Sequence, residues 1–258
     1  MNGLSLFSGI GGLDVALSEY VRTIAYCEIE PYCQAVLLAR MHDGKLAKAP
    51  IWDDVKTLSE KSLKSCVDII YGGFPCQDIS VAGAGKGLEG ERSGLFYQIM
   101  RLAKEIKPKF LFLENVPAIT TRGGLRVVKA IASLGYDCRW CIISASSLGA
   151  LHRRKRWFLL AYANDERRNE RQRRITFGLS KKLPEFTYRN FKNAFRYSLG
   201  NNSNEFWPFR SREHWQKVVC RIRRSSNGVP YQVDRLRGLG NAVVPCQAKK
   251  AFKMLMGL

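Results

Sequence analysis

As far as about residue 162, short apolar runs alternate along this chain with segments in which apolar and polar residues are mixed at regular spacing. Short, almost uninterrupted apolar runs predict strands that are buried on both faces of a sheet. Between these runs, apolar residues recur every three or four positions, which predicts helices with one buried side. Strands and helices in this order predict an α/β fold with a doubly wound, mostly parallel sheet. The predicted strands are residues 4–7, 23–27, 67–71, 110–113, 137–145 and 157–162, and the predicted helices are residues 13–20, 31–41, 93–106, 124–134 and 246–256.

The segment 164–228 breaks this pattern. Between Asp165 and Arg224 it holds 16 Lys or Arg against 6 Asp or Glu, together with 10 aromatic residues. So many aromatic residues are untypical of a disordered basic tail. We therefore expect three parts: an α/β domain over residues 1–163, a small basic domain over residues 164–228, and a C-terminal segment over residues 229–258.

Composition narrows the classes of function. The 258 residues carry a net charge of +20, which indicates a polyanionic partner such as nucleic acid. No apolar run approaches the roughly 18 to 20 residues of a membrane helix, and no export signal is evident, so we expect a cytoplasmic protein with reduced cysteines. Cys138 and Cys141 form a CxxC without a second pair, so we place them in a strand and expect no metal site.

One thiol stands where open α/β sheets carry out chemistry. The apolar run Val67–Tyr71 is followed by Gly72-Gly73-Phe74-Pro75-Cys76, which places Cys76 just past the carboxyl end of a strand. Pro75 restricts the backbone on both sides of itself. A lone cysteine is nevertheless more often a small buried residue, so this stretch alone leaves both interpretations open.

A glycine-rich turn follows the first predicted strand. Ser8-Gly9-Ile10-Gly11-Gly12 lies between a strand and a helix, where glycines allow a ligand to approach the backbone and the start of the helix. The spacing is G-x-G-G rather than the dinucleotide fingerprint G-x-G-x-x-G. Glu28 ends the next strand and suits a ribose diol, although an ordinary exposed carboxylate would also fit there.

Five motifs follow one another along the chain: Phe7–Gly12, Gly73–Gln77, Glu114–Val116, His152–Arg156 and Gly240–Pro245. In this order they resemble the motifs of the DNA (cytosine-5)-methyltransferase family. The resemblance spans nearly the whole chain and implies a Rossmann-like methyltransferase sheet with a small target-recognition domain, residues 164–228. It also implies that the segment 229–258 returns to the catalytic domain, residues 1–163.

The resemblance implies transfer of a methyl group from S-adenosyl-L-methionine to C5 of a flipped-out cytosine in a specific duplex DNA sequence. Cytosine C5 is a poor nucleophile, and addition of a thiolate at C6 makes it enamine-like. The resemblance implies that Cys76 supplies this thiolate. Glu114 would hold N3 and the exocyclic amine, helped by a pKa that burial raises. Arg156 would reach the cytosine O2, while Arg154 would hold a phosphate or the loop that carries Cys76.

The same resemblance implies the binding residues. The ribose hydroxyls would bind Glu28, the adenine amine would donate to Asp54, and no metal would take part. The target base has to leave the duplex, and residues 77–94 are the candidate lid over it. We expect a monomer without membrane attachment that binds duplex DNA, in a bacterium or encoded by its phage. The sequence leaves open whether a cognate restriction endonuclease accompanies it. The implied cofactor residues are Phe7, Ser8, Gly9, Ile10, Gly11, Gly12, Glu28, Ile29, Asp54, Val55, Pro75, Leu95, Asn241, Ala242 and Val243, and the implied DNA contacts are Gln77, Ser80, Arg92, Asn115 and Asn241.

Three departures from the family pattern are visible. Ile29 stands where many relatives have Trp, His152 stands where Gln is usual, and residues 229–235 replace the Arg-Thr-Arg-Glu pattern. Three alternatives remain. A transfer-RNA cytosine methyltransferase would carry a Cys-Phe-Thr signature, which is missing here. A non-catalytic DNA-binding relative usually loses the Cys or the Glu, and a nucleotide-dependent oxidoreductase would have the third glycine.

Overall fold

The computed structural model describes residues 1–75, 94–150, 152–163, 234, 238 and 240–258. Within them, strands and helices alternate as far as residue 163, and one helix follows near the end of the chain. The strands are β1 (Asn2–Leu6), β2 (Arg22–Cys27), β3 (Ile51–Trp52), β4 (Ile69–Gly73), β5 (Phe110–Asn115), β6 (Tyr136–Ser144) and β7 (Lys155–Ala163), and the helices are α1 (Gly12–Leu17), α2 (Pro31–His42), α3 (Gly94–Ile106), α4 (Ile119–Arg122), α5 (Gly124–Ser133) and α6 (Pro245–Met256).

The described strands form one sheet in the order β3-β2-β1-β4-β5-β7-β6. Strands β1 to β5 pair in parallel, whereas β7 runs antiparallel to both β5 and β6. This architecture confirms the predicted doubly wound, mostly parallel sheet. The strand order reverses between β1 and β4, and ligands of open α/β sheets bind at the carboxyl ends of the strands beside such a reversal.

Helices cover both faces of the sheet. Apolar side chains of α3 and α5 bury one face, and those of α1 and α6 bury the other. Tyr20, just after α1, lies with its ring centroid 5.5 Å from that of Phe252 on α6. Helix α6 therefore packs beside α1.

Some element boundaries differ from the sequence-based prediction. Glu114 and Asn115 form the last two positions of β5 instead of following it, because both remain paired with β7. A short helix at α4 and a 3₁₀ turn at Ala145–Leu148 were not predicted, since neither is long enough to show a periodic pattern. Cys138 and Cys141 lie within β6 as predicted.

Two kinds of feature are absent from the described residues. No helix in this part of the chain is long and apolar enough to cross a membrane. No cluster of three or more His, Cys, Asp or Glu side chains that could hold a metal ion occurs in the same residues.

Candidate active site

The glycine-rich turn after β1 has a backbone that requires glycine. Gly9 and Gly11 have φ angles of 53° and 79°, in the left-handed region that other residues rarely adopt. The hydroxyl of Ser8 donates to the carbonyl oxygens of Ser5 and Cys27, at 3.2 and 3.3 Å, and so ties the turn to both β1 and β2. The turn is thus held open at the carboxyl edge of the sheet, where a ligand can approach its backbone.

Glu28 lies directly opposite this turn. Its carboxylate is buried and accepts hydrogen bonds from the backbone N–H of Gly9 at 2.6 Å and of Glu30 at 2.9 Å. The side-chain amide of Gln34 donates to the Glu28 carbonyl oxygen at 2.6 Å and fixes the backbone as well. A carboxylate held against a glycine turn in this way is suited to bind the hydroxyls of a ribose.

The segment after β3 forms the next part of the same edge. Asp54 accepts a hydrogen bond from the Lys56 N–H at 2.9 Å, while Val55 is buried in the core. The Arg101 guanidinium of α3 donates to the Val55 and Leu58 carbonyl oxygens at 2.9 and 3.1 Å. Helix α3 therefore fixes the position of the loop that carries Asp54, a contact that the sequence motifs did not indicate.

Other predicted cofactor residues line the same edge. Ile29 is 65% exposed, an unusual value for an apolar side chain in a described segment. Phe7 and Leu95 are half-buried and pack against the core cluster below the edge, whereas Pro75 is exposed. Ile10 is half-buried.

The end of β4 has no room for side chains. A Cβ at Gly72 would lie 2.1 Å from the Leu6 carbonyl oxygen, and one at Gly73 would lie 2.6 Å from Oε2 of Glu114. Phe74 is buried and packs on Phe96 of α3, with ring centroids 5.2 Å apart. The chain therefore leaves β4 along a closely fitted path.

Asn115 fixes the backbone just before Pro75. Its side-chain amide donates to the Phe74 carbonyl oxygen at 2.9 Å, and its Oδ1 accepts from the Val116 N–H at 2.8 Å. We predicted Asn115 as a DNA contact, and its buried position gives it a second role as a support for the chain that leads into Cys76. Cys76 itself lies outside the described residues.

Glu114 is the one predicted catalytic carboxyl group. It is 8% exposed, and its Oε1 pairs with Nε of Arg156 at 2.8 Å. Burial raises its pKa to about 7, although the positive charges of Arg156 and Arg154 lower it. Near neutral pH the group can therefore act as a hydrogen-bond donor or as an acceptor.

Arg154 directly precedes β7, and Arg156 is the second residue of that strand. The beginning of β7 meets the carboxyl end of β5 because the two strands are antiparallel. Arg156 turns to Glu114, whereas Nη2 of Arg154 donates to the Gly240 and Ala242 carbonyl oxygens, at 2.7 and 2.5 Å. Burial lowers the pKa of the Arg154 guanidinium. The two arginines thus connect the candidate catalytic carboxyl group with the C-terminal motif.

The C-terminal motif also touches the glycine turn. Val243 is buried, and a Cβ at Gly12 would lie 3.0 Å from both its side chain and its carbonyl oxygen. Asn241 is exposed. The carbonyl oxygens of its neighbours Gly240 and Ala242 accept the hydrogen bonds from Arg154. These contacts hold the C-terminal motif against the first residue of α1 and against Arg154.

Several predicted features lie outside the described residues. They include most of the candidate lid, residues 77–94, and the whole target-recognition domain, residues 164–228. The individual residues concerned are Cys76, Gln77, Ser80 and Arg92.

Comparison with known proteins gives three concordant results. Residues 1–226 match the model of the family described as C-5 cytosine-specific DNA methylase. Over 163 residues the chain is 37% identical to Type II methyltransferase M.CviJI of Paramecium bursaria Chlorella virus IL3A, covering 63% of this chain and 43% of that protein. It is 35% identical over 170 residues to Type II methyltransferase M2.BsuMI of Bacillus subtilis, covering 62% and 42% of the two chains.

A solved structure resembles the chain over nearly its full length. The crystal structure of a Spodoptera frugiperda DNMT2 mutant superposes with a TM-score of 0.60 at 16% identity, covering 98% of this chain and 99% of that one. At that identity the likeness shows the fold alone. The matched stretch spans less than half the length of each of the two Type II relatives.

Proposed function

This chain belongs to the C-5 cytosine-specific DNA methylase family, and we propose that it transfers a methyl group from S-adenosyl-L-methionine to C5 of cytosine in duplex DNA. The observation that carries the proposal is the position of Glu114. This carboxyl group is buried, is paired with Arg156 and has a pKa raised to about 7. Glu114 lies beside Gly73. Gly73 in turn precedes Cys76 by three residues in the chain.

The residues at the glycine turn fit this cofactor. Glu28 would bind the ribose hydroxyls, Asp54 would accept from the adenine amine, and the turn that includes Gly9 and Gly11 would bind the methionine part. The fit is supported by the buried Glu28 carboxylate 2.6 Å from the Gly9 N–H and by the left-handed glycine backbone. The bound cofactor supplies an electrophilic methyl group on a sulfonium.

The protein's own residues perform the remaining steps. The Cys76 thiolate adds to C6 of the cytosine. The π pair of C5=C6 then forms C4=C5, and the π pair of C4=N3 moves onto N3. Glu114 donates a hydrogen bond to N3 and stabilises the negative charge that develops there, which a pKa of about 7 allows. C5 would then accept the methyl group as the electron pair returns from N3 through C4=C5, with S-adenosyl-L-homocysteine as the leaving thioether. Loss of the C5 proton to a base and departure of Cys76 restore the aromatic ring.

Arg156 has two tasks in this mechanism. It orients Glu114 through the 2.8 Å contact, and it presents its remaining N–H groups to the cytosine O2. Arg154 keeps the C-terminal segment in place through two backbone carbonyls.

Incubation with labelled S-adenosylmethionine and either unmethylated duplex DNA or transfer RNA tests the proposal. We expect label in the 5-methylcytosine of DNA, and none with the Cys76→Ser or Glu114→Gln variant. Label in RNA alone would contradict the proposal and favour the transfer-RNA alternative. The lack of any transfer by the wild-type protein that binds the cofactor would favour a non-catalytic relative.

The recognised sequence is the second part of the proposal. We propose that residues 164–228 select it, since their basic side chains can bind phosphates and their Arg, Asn and Gln side chains can reach base edges. Sequencing genomic DNA from cells that express the protein, with detection of 5-methylcytosine, gives the target directly. Methylation spread over cytosines without a common sequence would contradict specific recognition.

A further inference from the structure

Gln247 is a fully buried amide side chain on α6, and its exposed fraction is 0%. Its Nε2 donates to the carbonyl oxygen of Arg154 at 2.6 Å and to that of Ile143 at 3.1 Å. Both partners are acceptors, so the nitrogen of the amide has to face them and its orientation follows from chemistry. The Oε1 atom has no hydrogen-bond partner in the part of the chain that the structure describes, so the donated bonds are what this amide contributes.

The contact between α6 and β7 is reciprocal. Gln247 of the C-terminal segment binds the backbone of Arg154, and the Arg154 side chain binds the backbone of the C-terminal segment at Gly240 and Ala242. Each segment therefore fixes the other through one long polar side chain. Such paired contacts hold a backbone more closely than apolar packing does, since hydrogen bonds are directional.

The Arg154 carbonyl that Gln247 binds lies two residues before Arg156, the partner of Glu114. Arg154 lies just before β7, and Arg156 contacts Glu114 at 2.8 Å. Ile143, the other partner of Gln247, pairs with Arg156 in the β6–β7 ladder. Gln247 thus binds the backbone two residues before Arg156 and, on the neighbouring strand, at the residue that pairs with Arg156.

We propose that Gln247 is a positioning residue that fixes Arg156 against Glu114 by binding the backbone of Ile143 in β6 and of Arg154 just before β7. The inference rests on the proposed methyl transfer, and it adds to it a residue outside the five motifs. The effect reaches the substrate through Arg156 and Glu114, because Gln247 itself is buried in the protein.

The test compares Gln247→Met, which keeps the size of the side chain and removes both donors, with Phe252→Leu. Phe252 is equally buried on the same helix and packs on Phe112 and Tyr20, away from Arg154, so it serves as a control for a loosened α6. Single-turnover methyl transfer to unmethylated duplex DNA is measured, along with the Kd for S-adenosylmethionine by calorimetry. We expect Gln247→Met to slow transfer about 10-fold while the Kd changes less than about 2-fold, and Phe252→Leu to lower the thermal midpoint without slowing transfer.

A second readout does not depend on activity. The pKa of Glu114 is measured by NMR of the ¹³C-labelled side-chain carboxyl groups, assigned with Glu114→Gln. If Arg156 is held less firmly in Gln247→Met, its charge lowers this pKa less, so the pKa rises above the wild-type value; in Phe252→Leu it stays unchanged. If Gln247→Met does not fold, Gln247→Asn keeps the amide but is one methylene shorter, and the same two changes are expected.

The outcomes separate this inference from the proposed function. Unchanged transfer and unchanged Glu114 pKa in the folded Gln247 variant would overturn the inference, as would a Phe252→Leu variant that reproduces both changes. A wild-type protein that does not methylate DNA, combined with the pKa change in Gln247→Met, would refute the proposed function and leave the positioning role standing.

Discussion

Glu114 is a carboxyl group that the folded protein keeps in an unfavourable surrounding. Burial raises its pKa from 4.5 to about 7. Between these two pH values the folded state retains a proton that the unfolded state has released. The free energy of unfolding therefore falls as the pH rises from about 4.5 to about 7, and the loss is complete above that range.

We predict that Glu114→Gln removes this loss. Since one pKa unit corresponds to about 1.4 kcal/mol, the variant should gain about 3 kcal/mol on the wild type between pH 4.5 and pH 8. Denaturant unfolding at a series of pH values measures the gain. Glu105→Gln is a suitable control, because Glu105 is exposed on α3. If the two variants show the same pH dependence, the raised pKa of Glu114 is refuted.

At the scale of single elements, the end of β4 offers two neighbouring glycines with different surroundings. A Cβ at Gly72 would collide with the backbone of Leu6 at 2.1 Å, whereas one at Gly73 would meet the carboxylate end of Glu114 at 2.6 Å. A backbone atom inside a sheet cannot move aside, but a carboxylate can rotate. The two positions therefore separate a requirement of the fold from a requirement of the site.

We predict opposite consequences for Gly72→Ala and Gly73→Ala. The first should destabilise the protein by about 3 kcal/mol, since β1 and β4 have to separate, and the second should cost about 1 kcal/mol or less. Gly73→Ala should instead slow methyl transfer at least about 10-fold by moving Glu114 away from Arg156. Chemical denaturation and single-turnover transfer measure the two effects. A Gly73→Ala variant with wild-type transfer would show that Glu114 tolerates the shift.

Helix α3 joins two parts of the site that are distant in sequence. Arg101 holds the Val55 and Leu58 carbonyls, and Phe96 packs on Phe74 before the chain reaches Cys76. The guanidinium also pairs with Glu60 at 3.3 Å, a partly exposed contact that contributes little. The hydrogen bonds to the two carbonyls are therefore the ones that should matter for the cofactor.

We predict that Arg101→Met weakens binding of S-adenosylmethionine about 5- to 10-fold, because the loop with Asp54 is no longer fixed. Glu60→Gln removes the ion pair and keeps the carbonyl contacts, so its affinity should stay within about 2-fold of the wild type. Calorimetry on both variants gives the comparison. Equal losses in the two variants would assign the effect to the ion pair instead.

Local elements of this chain were predictable, whereas its long-range polar contacts were not. Apolar runs such as Phe110–Leu113 gave the strands, because burial on both faces of a parallel sheet leaves a continuous apolar signal. The family resemblance indicated Glu114 and Arg156 as site residues, and the structure brings them to 2.8 Å. The ends of the strands were predicted less accurately. Strand β5 continues through the polar residues Glu114 and Asn115 because both still pair with β7.

Gln247 and Arg101 escaped the sequence analysis for a physical reason. Each acts by donating to backbone carbonyls far along the chain, and a carbonyl is present at every residue, so no partner residue type marks the contact. The available signal was a polar residue on the apolar side of a helix. Gln247 lies only two residues after Pro245, the first residue of α6, so too little of the helical pattern precedes it to mark its side as apolar.

At the scale of the whole molecule, charge is the dominant feature. The chain carries +20, and its residues 165–224 alone hold 16 Lys or Arg against 6 Asp or Glu. Binding to duplex DNA releases counterions from each phosphate that a basic side chain neutralises. The affinity of the protein for DNA should therefore depend steeply on salt, and the dependence should be concentrated in the residues 164–228.

We predict that the affinity falls about 10³-fold or more between 50 and 200 mM salt, as for roughly six neutralised phosphates. Replacing Arg223 and Arg224 by Gln should reduce the slope of log K against log salt by about 1 to 2 units. The matched control replaces Lys104 and Lys107 in the same way. Both are exposed, Lys104 in the last turn of α3 and Lys107 just after it. This end of α3 leads into the start of β5, away from the carboxyl edge that carries the site. Fluorescence anisotropy with a labelled duplex measures the slopes. Equal reductions in both double variants would mean that DNA binding draws on the net charge of the protein, and that residues 164–228 have no special part in it.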